Sequence, residues 1–366
     1  MRKANDLLVR TLRTPDLVVR FSLAQWDLLV RQARQAGLLA RLQDRFSEQT
    51  LLETIPQPVR WHFDAAATLA HKQQIAVRWE VGQIRDALAP LDFPLIVMKG
   101  AAYVVAGLPA ARGRLFNDID ILVPRGQLNQ AEAALMLAGW HATGLSDYDE
   151  RYYRRWMHEI PPMQHVHRAT VIDVHHAILP ETARYFPHPE KLRAAIEAVP
   201  DLTGVYVFSA ADRILHSATH LFHDGELPHG LRDLTDLDLL LRHASTAPGF
   251  WTRLLARAEE LQLERSLFYA LRYTQHFLDT PVPGDVAQAM RKAAPSATLL
   301  RPMDAIFSRA LAPIHSSCDD RFSGLARQAA YIRAHWLRMP AHLLLPHLLH
   351  KAFVSPYKHT EAPKTA

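Results

Sequence analysis

The sequence predicts an α+β fold: a small mixed sheet with helices, embedded between helical N- and C-terminal regions. Three observations lead there. Apolar residues recur at three- and four-residue spacing on both sides of the chain's middle. Between about residues 91 and 180 that period gives way to short apolar runs and strict alternation. Turn residues mark the change, at Ala89-Pro90 and again at Gly100.

Residues 1–90 read as helical. "FSLAQWDLLVRQARQAGLLARLQDRF" has helical apolar spacing, with Ser22 as its N-cap. Pro56 and Pro58 break the chain before a second long helix from about Val59 to Leu88, whose faces mix Ala, Ile and Val with Arg, Gln and Glu. "FPLIVMKG" is a buried strand entering a turn. "NDIDILVP" alternates, with Asp118 and Asp120 on one face and the isoleucines on the other. "LNQAEAALMLAGW" is a helix ending at Gly139. "ATVIDVHHAIL", Ala169 to Leu179, is a third strand with an aspartate between β-branched residues. From Ser209 the chain is helical again until Pro281 and Pro283, and shorter helices follow, split by Pro295, Pro302, Pro313, Pro340 and Pro346. The expected organisation is an N-terminal helical region (1–90), a core (91–200), a helical acceptor region (201–285) and a basic helical tail (286–366).

With 366 residues, 49% hydrophobic and 22% charged, the chain has the balance of a folded protein with one large or two medium cores. Its single cysteine, Cys318, allows no intrachain disulfide and fits a reducing compartment. The first residues, interrupted by Arg10, Arg13, Asp16 and Arg20, lack the apolar core of a signal peptide, and no stretch reaches the roughly 18 apolar residues of a membrane span. The expectation is a cytoplasmic protein with no integral membrane segment. Net charge is +5, but residues 286–366 hold eleven Lys/Arg against four Asp/Glu, a net +7. That tail reads either as a solvated helical face or as a surface for an anionic partner.

The chemistry concentrates in "MKGAAYVVAGLPAARGRLFNDIDILV". Asp118 and Asp120 project together and repel unless they ligate divalent cations. Asp173, on a neighbouring strand, would complete a three-aspartate cluster holding two metal ions, an arrangement suited to in-line phosphoryl or nucleotidyl transfer. The Lys99-Gly100 turn lets backbone N–H groups approach a phosphate, and Arg112 and Arg114 could clamp its oxygens. Lys99 is either solvated or turned to the phosphates. His175 shares the face of Asp173, where it either orients that carboxylate, contacts nucleotide or simply packs.

The order "KGAA", arginine-bearing loop, "NDIDILV", "IDVHH" resembles the polymerase-β-like nucleotidyltransferase superfamily, and more closely an uncharacterised bacterial nucleotidyltransferase family with a lysine-glycine-alanine motif and a D-x-H second motif. The resemblance covers about residues 25 to 280, including the flanks "ARQAGLLARL", "LHSATHLFHDGE" and "LRDLTDLDLLL". It implies a polymerase-β-like core in which Asp118 and Asp120 are the paired metal ligands, Asp173 the third carboxylate, Gly100 the phosphate-binding turn, and Lys99 and Arg114 basic positions facing the triphosphate. Ala101 stands where the wider superfamily prefers serine or glycine, so one hydroxyl donor is missing. The implied cofactor is Mg²⁺, two ions, with Mn²⁺ as the alternative. The implied substrates are an NTP, ATP first, and an unidentified hydroxyl, phosphate or amine acceptor. Two rivals remain: a catalytically weak nucleotide-binding regulator, and a histidine-rich metallohydrolase built on His216 and His220 with Asp224, to which His165 and His167 could add. Asp233, Asp236 and Asp238 read as a cap and as salt bridges with Arg232 or Arg242, and the stripe in "WTRLLARAEELQL" as core packing.

Overall fold

The computed structural model describes residues 6–144, 146–223, 225, 227–340 and 342–344; Asp224 and the end of the basic tail, with Pro346, lie outside the described residues. Ser22 caps the helix Leu23–Gln35 reciprocally: its hydroxyl accepts from Gln25 N–H, and Gln25 Oε1 accepts from Ser22 N–H at 2.9 Å. The helical stretch predicted as continuous divides at Gly37, which adopts φ +67°, so that Leu39–Glu48 is a separate helix. Trp26, Phe46 and Phe63 pack ring against ring, with centroids 5.8 to 6.1 Å apart, and tie both helices to the 32-residue helix Gln57–Leu88.

That long helix lies against the first strand and against the helices Lys99–Val105 and Leu128–Leu137. The sheet has seven strands: β1 (Leu95–Val97), β2 (Ile119–Leu122), β3 (Trp140–Ala142), β4 (Met163–His165), β5 (Val171–His175), β6 (Ile196–Ala198) and β7 (Val205–Phe208). Their spatial order is β3-β4-β5-β2-β1-β7-β6. β2 runs antiparallel to β1 and parallel to β5, while β7 runs parallel to β1, so the sheet is mixed as expected. The three predicted strands stand together near its centre. β7, past residue 200 where helix was expected, pairs Val205 and Val207 with Leu95 and Val97 and belongs to the same sheet.

Helix Ala210–His223 buries Ile214, Leu215, Ala218, Leu221 and Phe222 and packs on β7, Lys99–Val105, Gly230–Ala244 and Glu264–Leu278. The predicted helix after Gly249 divides at Gln262, φ +58°, into Phe250–Glu260 and Glu264–Leu278. Pro302 lies inside the helix Ala297–Ala310 instead of ending one; just beyond it, Phe307 is anchored among Phe222, Tyr269 and Tyr273, with centroids 5.3 to 5.5 Å away. Ser323–Arg338 folds back onto Ala210–His223, and Arg333 donates to the Phe222 carbonyl at 2.7 Å. The described part of the basic region is therefore packed against the fold. No described helix is long and apolar enough to cross a membrane.

Candidate active site

β2 and β5 are parallel and in register, which sets Asp120 opposite Asp173 and Leu122 opposite His175. The pleat turns these residues to one side of the sheet, while Ile119 and Ile121 go to the other and are buried. Asp118 comes immediately before β2 and is exposed. β1 delivers Lys99 to the same place: its Nζ donates to Asp120 Oδ1 at 2.6 Å. His175 Nε2 lies 3.0 Å from that oxygen, and His175 Nδ1 lies 3.1 Å from Glu159 Oε2. Glu159 is brought there by a segment that pairs with the end of β5: His176 N–H donates to His158 O at 2.8 Å and Ile160 N–H to Val174 O at 3.0 Å.

Asp120 is only 3% exposed. Burial alone would raise its carboxyl, but the Lys99 charge and the contacts from His175 and Lys99 outweigh that and hold it well below the usual carboxylate range. Lys99 is correspondingly raised: burial opposes its charge, and Asp120 restores it. Asp173 has no such contact among the described residues, and His175 lowers it only in part. Burial, and then the charges of Asp120 and Glu159, push it up to about 7. Asp118 is raised as well, because surrounding protein displaces water from it although it still reaches solvent, and because Asp120 is close. For His175 burial lowers and Glu159 with Asp120 raises, with a net rise.

Four carboxylates thus converge on one lysine and one histidine. Asp173 Oδ1 is shut off from solvent with no hydrogen-bond partner among the described residues, a state that normally signals a missing cation or water. Asp120, Asp173 and His175 place ligand atoms within 4.8 Å of one another. An oxygen-rich set of this kind fits a hard divalent cation, so the residues present suit the metal ion expected for the motif.

The other expected residues are placed differently. Lys99-Gly100 is not a free turn but the opening of the helix Lys99–Val105, and the left-handed residue is Lys99 itself, φ +47°, at a cost of about 1–2 kcal/mol for a non-glycine residue. Gly100 is required for room, since a Cβ there would collide with the Arg114 guanidinium and sit 2.7 Å from its Cζ. Ala101 is buried in the same helix. Arg114 is held by carboxylates: its Nε donates to Asp236 Oδ2 at 2.8 Å, and Asp233 lies 3.9 Å from the guanidinium. Its charge still reaches Asp118. Arg112 is on the surface, paired with Glu48.

Asp238 pairs with Arg242 as expected; Asp233, expected to cap the helix Gly230–Ala244, lies within its first turn after the N-cap His229 and pairs with Arg232; and Asp236 joins Arg114 and Arg41, whose Nη1 donates to Asp236 Oδ1 at 2.6 Å. His216 and His220 sit on Ala210–His223, both kept neutral by burial and then by the Lys99 charge. His165 packs edge-on against Trp140 and accepts from the His167 and Arg168 N–H groups, so it serves the loop between β4 and β5. Leu254, Ala258, Leu261 and Leu263 are buried, so the stripe in the helix Phe250–Glu260 and the turn after it is core packing. Sequence reasoning missed Glu159, His158 and Arg41. Glu159 and His158 precede Pro161-Pro162 in an irregular segment without periodicity, and the one available signal was two titratable residues side by side there.

No curated protein and no solved structure matches the chain. The model of a family described as uncharacterised nucleotidyltransferase matches residues 22–279, more than half of the chain and all seven strands, and the chain belongs to that family.

Proposed function

We propose that the chain is a metal-dependent nucleotidyltransferase that moves a nucleoside monophosphate from an NTP, ATP first, to a hydroxyl, phosphate or amine acceptor and releases pyrophosphate. The observation that carries this reading is the registered pair Asp120 and Asp173, with a sealed, unpartnered Asp173 oxygen and Asp118 at the mouth of the strand. Asp118, Asp120 and Asp173 would hold two Mg²⁺, or Mn²⁺ in their place. When bound, such ions neutralise phosphate charge and acidify an acceptor hydroxyl.

The chain's own groups do the rest. Asp173 helps take the acceptor proton. Lys99 Nζ and the Arg114 guanidinium balance the triphosphate's charge, and Arg114, seated on Asp236, packs against Gly100, with Ala101 next in the same helix. His175 Nε2 fixes the orientation of Asp120 and borders the nucleotide, with Glu159 behind the ring. Arg112, on its exposed pair, is left for a phosphate at the rim.

Each labelled NTP is incubated with the full chain and Mg²⁺, beside the Asp118→Ala/Asp120→Ala variant. The expected result is Mg²⁺-dependent nucleotide binding by the wild type that the variant loses. Equal behaviour of the two proteins, or binding indifferent to Mg²⁺, overturns the reading.

A further inference from the structure

We propose that His158, Glu159 and His175 form a second cation site, for a first-row transition ion such as Zn²⁺, separate from the aspartate cluster and sharing one wall with it. One nitrogen from each ring and one Glu159 oxygen lie within 4.8 Å of one another. Two imidazoles and a carboxylate are a borderline-soft donor set, suited to zinc and its neighbours over Mg²⁺.

The alternative is a hydrogen-bonded pair between His175 and Glu159, and the geometry argues against it. His175 Nδ1 lies 3.1 Å from Glu159 Oε2, yet it is buried without a hydrogen-bond partner, so the two atoms are close but misaligned for N–H···O. Two donors bound at about 2.1 Å to one tetrahedral ion sit roughly 3.4 Å apart, so a near miss of this size is the spacing of two ligands. His158 Nδ1 is buried as well, with no hydrogen-bond partner among the described residues. The His158 and His175 ring centroids are 5.3 Å apart, close to the roughly 5 Å set by two imidazoles on one tetrahedral ion.

His175 also has the second contact of a ligating histidine: with Nδ1 on the ion, Nε2–H donates to Asp120 Oδ1 at 3.0 Å. Backbone bonds between the 158–160 segment and β5 hold the ligands in place before any ion arrives. Of the three ligands, Glu159 also lines a cavity of about 200 Å³, with Trp156 and His176.

The inference stands without the nucleotidyl-transfer reading, because its test needs no nucleotide. The full chain is dialysed against Zn²⁺ with Mg²⁺ in large excess, and bound zinc is counted by atomic emission. The expected result is one zinc per chain, with affinity lowered at least about a hundredfold in His158→Ala and in Glu159→Gln and unchanged in Asp118→Asn. Should His158→Ala not fold, the near-isosteric Glu159→Gln decides alone. Three results overturn the site: no retained zinc, zinc indifferent to both substitutions, or zinc displaced by Mg²⁺ and lost in Asp118→Asn, which would move it to the aspartates.

Discussion

Two clusters of buried charge meet in the segment from Lys99 to Asp120, and they are closed in different ways. Around Asp236 every acceptor is taken. Arg41 Nη1 donates to Asp236 Oδ1 and to Thr235 Oγ1 at 2.7 Å, Arg41 Nη2 reaches the Ala110 carbonyl at 2.5 Å, and Arg114 fills Asp236 Oδ2. Around Asp120 and Asp173 negative charge is in excess, and one Asp173 oxygen accepts from none of the described residues. The first cluster is a rivet between the N-terminal helices, the 110–116 loop and Gly230–Ala244. The second is complete only when something positive is added. Burial alone does not distinguish structure from function here; satisfaction does.

Breaking the rivet should have the largest effect. Asp236→Asn leaves two buried guanidinium groups short of a counter-charge, and we expect a loss of about 3–5 kcal/mol in urea unfolding. Asp173→Asn removes a carboxylate with no cation, and should change stability by less than about 1 kcal/mol in the same experiment. If both variants unfold alike, the contrast between the clusters fails.

Added Mg²⁺ sharpens the contrast next. A divalent ion that binds the folded chain alone stabilises it by about 2.7 kcal/mol at one hundred times its dissociation constant. Thermal melts of the wild type should shift upward with Mg²⁺, whereas those of Asp173→Asn should stay put. Gly100→Ala probes the boundary between the clusters, since the added methyl strikes the Arg114 guanidinium. Overpacking of this kind costs about 1–3 kcal/mol, measurable as a lowered urea midpoint.

Per pH unit, the smallest effect comes from buried histidines outside both clusters. Burial, and then the charge of Lys99 or Arg333, lowers His216 to about 3 and His223 to about 4. Below pH 6.5 the unfolded chain takes up protons that these folded-state rings refuse, so stability falls as the pH drops from 6.5 toward 4. Each ring contributes up to about 1.4 kcal/mol per pH unit in that window and nothing to the slope above it. His223→Gln should flatten the slope of stability against pH; an unchanged slope would count against a neutral buried His223.

What the sequence made legible follows the range of the interactions. The central strands were readable because Leu95–Val97 is a short apolar run and Ile119–Leu122 and Val171–His175 set an aspartate between apolar residues, all within a few residues. β3 and β6 are three residues long and largely turned to solvent, and β4 alternates only over Met163, Gln164 and His165, too short a run to be read. Ser22 capped its helix as expected because a cap is local. Asp236 was assigned to Arg232 or Arg242 because helical spacing offers those partners, while the actual ones lie 195 and 122 residues away in sequence. The same limit hid Glu159 and His158. The aspartates were legible as a pair; that Lys99 and His175 would bracket Asp120 and leave Asp173 bare was not, because it depends on strand register.

The most direct test is crystallographic. Crystals of the full chain grown with Mn²⁺ and a non-hydrolysable ATP analogue would locate the ion by its anomalous signal. The account predicts Mn²⁺ held by Asp118, Asp120 and Asp173, with the triphosphate beside Lys99 and Arg114. A bound nucleotide elsewhere, or an aspartate cluster without manganese while the analogue is bound, would contradict it.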